Sequence, residues 1–165
     1  MKSKTIRFIT FNALIAALYV AVTYGGSPAS YGYAQYRMSE ALNVFCIFTP
    51  AAIPGVTIGC FIGNILSPYG IIDMISGSLT TLIAAVLMYL FRNIKVFNFP
   101  ALSMLMPAVA NGIVIGAVIS YIDGVPFWIT STGVAAGEIA VMFTLGAVLY
   151  YALKKAPQLL DFANK

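Results

Sequence analysis

Long apolar runs alternate with short joints rich in proline and glycine. The joints are Gly25-Gly26-Ser27-Pro28, residues 50–54, Ser67-Pro68-Tyr69-Gly70 and Asp123-Gly124-Val125-Pro126, residues that turn or end helices. Between them the pattern predicts six helices, at about residues 5–24, 36–50, 53–67, 71–91, 99–121 and 126–153. A bilayer core takes roughly 20 residues of apolar helix, so the runs read as membrane spans. The joint Pro50-Ala51-Ala52-Ile53-Pro54-Gly55 has two readings. It is either a loop between spans or a kink in one longer helix, because proline bends membrane helices without always ending them.

Composition agrees with the pattern. The chain is 61% hydrophobic and 8% charged, far from an ordinary soluble domain. The expectation is an all-α integral membrane bundle of six transmembrane helices. Residues 1–165 then form a single transmembrane domain. Lys2, Lys4 and Arg7 before an apolar run, with Ser27-Pro28-Ala29-Ser30 after it, resemble a secretory signal. The run is long enough to span, and is read as a retained first helix. With six spans, Lys2, Lys4, Arg7, Arg92, Lys95, Lys154, Lys155 and Lys165 fall on one side and Arg37 alone on the other. Basic residues favour cytoplasmic loops, so a multi-pass protein of the cell membrane with both termini in the cytoplasm is expected.

Histidine is absent, which excludes histidine metal sites and Ser-His-Asp hydrolysis. Cys46 and Cys60 have neither metal-ligand nor disulfide spacing and read as free core thiols. No catalytic residue, metal or cofactor is assigned, and no nucleic-acid partner is expected. Small residues recur every fourth position at Gly55-Gly59-Gly63, Gly112-Gly116, Gly133-Gly137 and Ala13-Ala17-Ala21, a spacing that lets helices approach closely. The glycines read as packing within the chain. The alanine stripe meets either this chain or another polypeptide.

Against this apolar background Glu40 and Glu138 stand out, because an ionisable group inside a span is a functional-site hypothesis by default. The alternating topology puts Arg37, Glu40, Asn64 and Asp73 near the outer ends of their helices. Asn111 lies about 15 Å below Tyr121 at 1.5 Å per residue, and Glu138 lies at comparable depth below Trp128. The layout predicts a bowl open to the exterior with an apolar floor, and Tyr31, Tyr33 and Tyr69 as an aromatic lid. Carboxylates and amides suit a ligand rich in N–H donors. Structural alternatives stand beside each assignment. Arg37 and Glu40 pair along one helix, or Asp73 merely complements a helix dipole. Asp123 is a turn residue, the tyrosines and Trp128 form an interfacial belt, and Asn64 and Asn111 join helices.

Tyr36-Arg37-Met38-Ser39-Glu40-Ala41-Leu42, Thr49-Pro50-Ala51-Ala52-Ile53-Pro54-Gly55, Gly59-Cys60, Asn64 and Ser67-Pro68 resemble the QueT family of queuosine-precursor transporters. The resemblance runs from the Ala13–Ala21 stripe to Gly137-Glu138. It implies a substrate-binding S component of an energy-coupling factor (ECF) transporter, working with a transmembrane T component and two cytosolic ATPases. The ligand would be a 7-deazaguanine: preQ1, preQ0 or the base queuine. Ala13, Ala17 and Ala21 would then meet the T component. Glu138 would accept N–H groups from the guanine-like edge and Asn111 would read a neighbouring carbonyl or ring nitrogen. Glu40, oriented by Arg37, would neutralise an aminomethyl cation. Asn64 and Asp73 complete the polar candidates, and Tyr33, Tyr69 and Trp128 would stack on the ligand. No Walker-type phosphate loop is present, so ATP would act through partners. Competing readings are a proton-coupled secondary transporter, a scaffold and a small membrane enzyme. The last lacks a nucleophile and base at useful spacing.

Overall fold

A computed structural model describes residues 2–26, 36–158 and 160. The described residues form an all-α bundle: α1 (Lys2–Gly25), α2 (Val44–Phe48), α3 (Ile53–Gly63), α4 (Gly70–Phe91), α5 (Ala101–Asp123), α6 (Phe127–Val141) and α7 (Ala147–Lys155). Short 3₁₀ turns at Met38–Asn43, Pro50–Ala52 and Asn64–Leu66 flank α2 and α3, and a π-helical turn at Met142–Gly146 joins α6 to α7.

Among the described residues four helical stretches are long and apolar enough to cross a membrane: Lys4–Gly25, Gly70–Phe91, Ala101–Asp123 and Phe127–Lys155. The second and third expected helices are present at Met38–Phe48 and Pro50–Leu66, both shorter than these four stretches. The cause lies at Thr49. A residue before proline is pushed out of the helical region, and Thr49 is extended at φ −146° and ψ 129°. Its Oγ1 accepts the Ala51 N–H at 3.2 Å, capping the next turn. The proline joint is therefore a break between two helices rather than a kink.

Glycine sets the helix pairings. Gly55 lies against Asn12 and Ile15, Gly59 against Ala16 and Tyr19, and Gly63 against Thr23, so α1 and α3 run parallel. Gly112 and Gly116 lie against Ala135 and Ser131, which makes α5 and α6 antiparallel. A Cβ at Gly59 would stand 2.6 Å from the Tyr19 Cβ, and one at Gly116 would stand 2.6 Å from the Ser131 Cα. These glycines pack within the chain, as the spacing implies. Ala13, Ala17 and Ala21 instead lie on the exposed face of α1.

The apolar core is layered. Val44, Ile47, Met88, Met104, Met142 and Leu153 fill the end of the bundle toward the α4–α5 loop. Ile115, Ile119 and Val134, with Tyr69 packed on them, fill the opposite end of α5 and α6. The 3₁₀ turn Met38–Asn43 packs against α1, α6 and the π turn. That packing carries a polar segment into the bundle.

Replacing Gly116 by alanine should lower the thermal unfolding temperature in detergent, at a cost of about 1–3 kcal/mol, because a rigid backbone sits where the methyl must go. Gly25→Ala, with nothing within 4 Å among the described residues, should leave it unchanged.

Candidate functional site

Arg37 enters the bundle just before the 3₁₀ turn and is buried. Its NH2 lies 3.5 Å from Asp73 Oδ2 in the first turn of α4, and its NH1 lies 3.9 Å from Cys60 Sγ. Ser67 Oγ donates to the same carboxylate oxygen at 2.5 Å, and Asn64 Nδ2 donates to the Asp73 carbonyl at 3.1 Å. Gly77 makes room for this, since a Cβ there would run into Asn64 Nδ2. Arg37 does not pair with Glu40 along one helix, the structural alternative their spacing raised. The cation reaches across to a residue 36 positions away, because the segment begins as a non-helical residue and a tight turn. Asp73 is likewise no lone anion at a helix start; it is half of a buried ion pair.

Glu40 is enclosed by neutral donors. Tyr19 OH and Thr81 Oγ1 donate to its Oε1, and Asn43 Nδ2 donates to its Oε2. Thr81 also reaches Cys60 Sγ at 3.2 Å. Beside this group Thr23 Oγ1 donates to Ser39 Oγ at 2.7 Å, a second tie between α1 and the 3₁₀ turn. Both oxygens of Glu40 are thus hydrogen-bonded within the protein.

Glu138 is placed differently. It is 1% exposed, and Asn111 Nδ2 donates to its Oε1 at 3.0 Å. Among the described residues its Oε2 and the neighbouring Asn111 Oδ1 have no hydrogen-bond partner, and the same holds for Asp73 Oδ1, Asn43 Oδ1 and Arg37 Nε. A buried polar atom left unpaired costs roughly 1–3 kcal/mol. Four of these five atoms are acceptors. Three carboxylates share the layer with one guanidinium, a formal excess of two negative charges.

The structure therefore gathers Arg37, Glu40, Asn64, Asp73, Asn111 and Glu138 into buried positions. They are enclosed rather than set in an open bowl. Tyr69 is half-buried, packs on Ile115, Ile119 and Val134, and donates its hydroxyl to Asp123 Oδ2 at 3.1 Å. Asp123 is accordingly more than a turn residue. Trp128 is not brought to the cluster: it is 75% exposed and leans on Phe127 at 5.2 Å between ring centroids, a placement that suits an interfacial aromatic. Tyr31 and Tyr33 lie outside the described residues.

Several participants were passed over in the sequence. Asn43 was findable, three residues after Glu40 and hence on its side of a helical turn. Thr81 belongs to the buried small-residue face of α4 with Gly77, Ser78, Ala84 and Ala85, so periodicity pointed at it. Tyr19 carried no signal beyond its type, and Ser67 stood out only through the Ser67-Pro68 joint. Cys60 is a free core thiol, as expected, yet it also receives Arg37, Asn64 and Thr81.

The model of the QueT transporter family matches residues 9–155. The queuosine precursor transporter QueT of Lactococcus lactis subsp. cremoris (strain MG1363) is 36% identical over 93% of this chain and 95% of its own length. No solved structure matches the chain significantly.

Asp73→Asn should destabilise the protein by about 3–5 kcal/mol, because it leaves the Arg37 charge buried without its partner. Adding Arg37→Met should restore most of the loss. Denaturant or thermal unfolding of the two variants in detergent checks both outcomes.

Proposed function

The chain belongs to the QueT transporter family, and from that membership we propose that it captures a 7-deazaguanine queuosine precursor for uptake across the membrane. The observation that carries this reading is the pair of buried acceptors, Glu138 Oε2 and Asn111 Oδ1, which have no partner among the described residues and sit on side chains 3.0 Å apart. A guanine-like edge offers adjacent ring and exocyclic N–H donors. A carboxylate and an amide oxygen side by side complement it. The formal excess of two negative charges favours a precursor that carries an ammonium group, such as preQ1 or queuine.

The roles of the other polar residues follow from their bonding. Glu40, held by Tyr19, Asn43 and Thr81, supplies negative potential for the aminomethyl cation. Arg37 and Asp73, with Asn64 and Ser67 against them, brace the wall beside it. Tyr69, bonded to Asp123, covers the outer end.

The chain acts in this proposal as the substrate-binding S component of an ECF importer. A transmembrane T component and two cytosolic ATPases supply the work. In support, Ala13, Ala17 and Ala21 line an exposed groove of about 590 Å³ with Ala16, Val20, Ile58 and Ile62. Small residues on a membrane-facing groove suit close approach of another helix. Lys4, Arg7, Arg92, Lys95, Lys154 and Lys155 fall at the helix ends that this proposal places in the cytoplasm.

Calorimetric titration of the purified chain with 7-deazaguanines, guanine and unrelated vitamins tests the reading. Heat with the deazaguanines alone is expected, and silence across them would overturn it. Glu138→Gln should weaken binding by about 2 kcal/mol, the worth of a buried charge-assisted hydrogen bond. Proton-driven uptake by this chain alone in liposomes would replace the importer scheme with secondary transport.

A further inference from the structure

At the end of the bundle near the α4–α5 loop, a cavity of about 210 Å³ is lined by Ile47, Phe48, Arg92, Asn93, Lys95 and Tyr150. None of these residues takes part in the carboxylate layer. We propose that this cavity binds the phosphate headgroup of an anionic phospholipid.

Charge is the first argument. Two cations line the cavity and no acidic residue does. Neither Arg92 nor Lys95 forms an ion pair among the described residues. Arg92 is held in place before any anion arrives. Its guanidinium sits 3.7 Å from the centroid of the Tyr89 ring, and its NH1 donates to the Tyr89 carbonyl at 2.5 Å. Such a guanidinium presents its remaining N–H donors at little further entropic cost. Lys154 and Lys155 close α7 at the same end of the bundle and raise the local potential.

The second argument is a hydroxyl. Tyr150 is 4% exposed, wedged against Phe48 and Phe99 at 5.3 and 5.8 Å between ring centroids. Its ring forms part of the cavity wall, and its hydroxyl has no hydrogen-bond partner among the described residues. A phosphate oxygen would accept that proton alongside the N–H groups of Arg92, Asn93 and Lys95.

Apolar surface decides between a lipid and a free anion. Ile47 and Phe48 give the cavity an apolar side. Next to it Phe97 is 99% exposed at the tip of a tight turn, with φ 49° at Phe97 and 64° at Asn98. Reciprocal bonds between Val96 and Phe99, at 2.8 and 3.0 Å, close that turn. A phenylalanine in left-handed backbone is uncommon, and this one is spent on exposing an aromatic ring six positions past the end of the α4 span. At a membrane boundary such a ring enters the interface between headgroups and acyl chains. Basic pockets between spanning helices at that depth suit acidic lipid headgroups. A soluble phosphate would use the cations and leave the apolar loop without a role.

Native mass spectrometry of the full chain, released from micelles doped with phosphatidylglycerol or phosphatidylcholine, tests the site. Wild-type protein should retain phosphatidylglycerol selectively. The Arg92→Gln/Lys95→Gln variant should lose about tenfold or more of that retention. Lys154→Gln/Lys155→Gln, outside the cavity, should keep most of it, and millimolar inorganic phosphate should not displace the lipid. Should the double variant in the cavity not fold, Lys95→Gln alone removes an exposed charge and should still reduce retention severalfold. Equal retention by the cavity variants, equal loss in the α7 variant or displacement by inorganic phosphate would each overturn the proposal.

Discussion

Charged groups inside a bilayer must be wrapped in protein, and the architecture of this chain is arranged around that constraint. Three carboxylates and a guanidinium lie buried among helices whose outer faces are apolar. Wrapping them requires backbones close enough for short side chains to reach. Gly59 against Tyr19 and Gly77 against Asn64 provide such closeness. It also requires a polar segment in the interior. The extended Thr49 shortens the second helix, and the 3₁₀ turn before α2 places Ser39, Glu40 and Asn43 inside the bundle.

Two kinds of buried polar group result. Glu40 and the Arg37–Asp73 pair are largely answered by the protein itself, through hydroxyls, amides and a salt bridge. Their removal would cost stability first. Glu138 and Asn111 answer each other with one bond and leave an acceptor apiece. In the proposed function this difference assigns recognition to Glu138 and Asn111, with Asp73 Oδ1 and Asn43 Oδ1 as further open acceptors beside them.

Helix α1 joins these features. One side carries Tyr19 and Thr23, which reach Glu40 and Ser39. The exposed side carries Ala13, Ala17 and Ala21 over an apolar groove. Helix α1 is therefore a direct route from the carboxylate layer to that groove. The basic cavity beside Arg92 lies apart from this route, at the far end of the bundle.

The sequence alone determined the membrane character, the four long spans and the two deep positions Glu138 and Asn111. Apolar run length and the spacing of small residues are local properties, and a bilayer converts them directly into helices and contact faces. The glycine rows predicted close packing for the same reason. Tertiary structure alone decided that Arg37 pairs with Asp73 rather than Glu40, that Tyr19 and Thr81 hold Glu40, and that Trp128 turns outward. No period along the chain encodes those choices. They depend on which faces of separate helices meet, and hence on the break at Thr49 and the parallel course of α1 and α3.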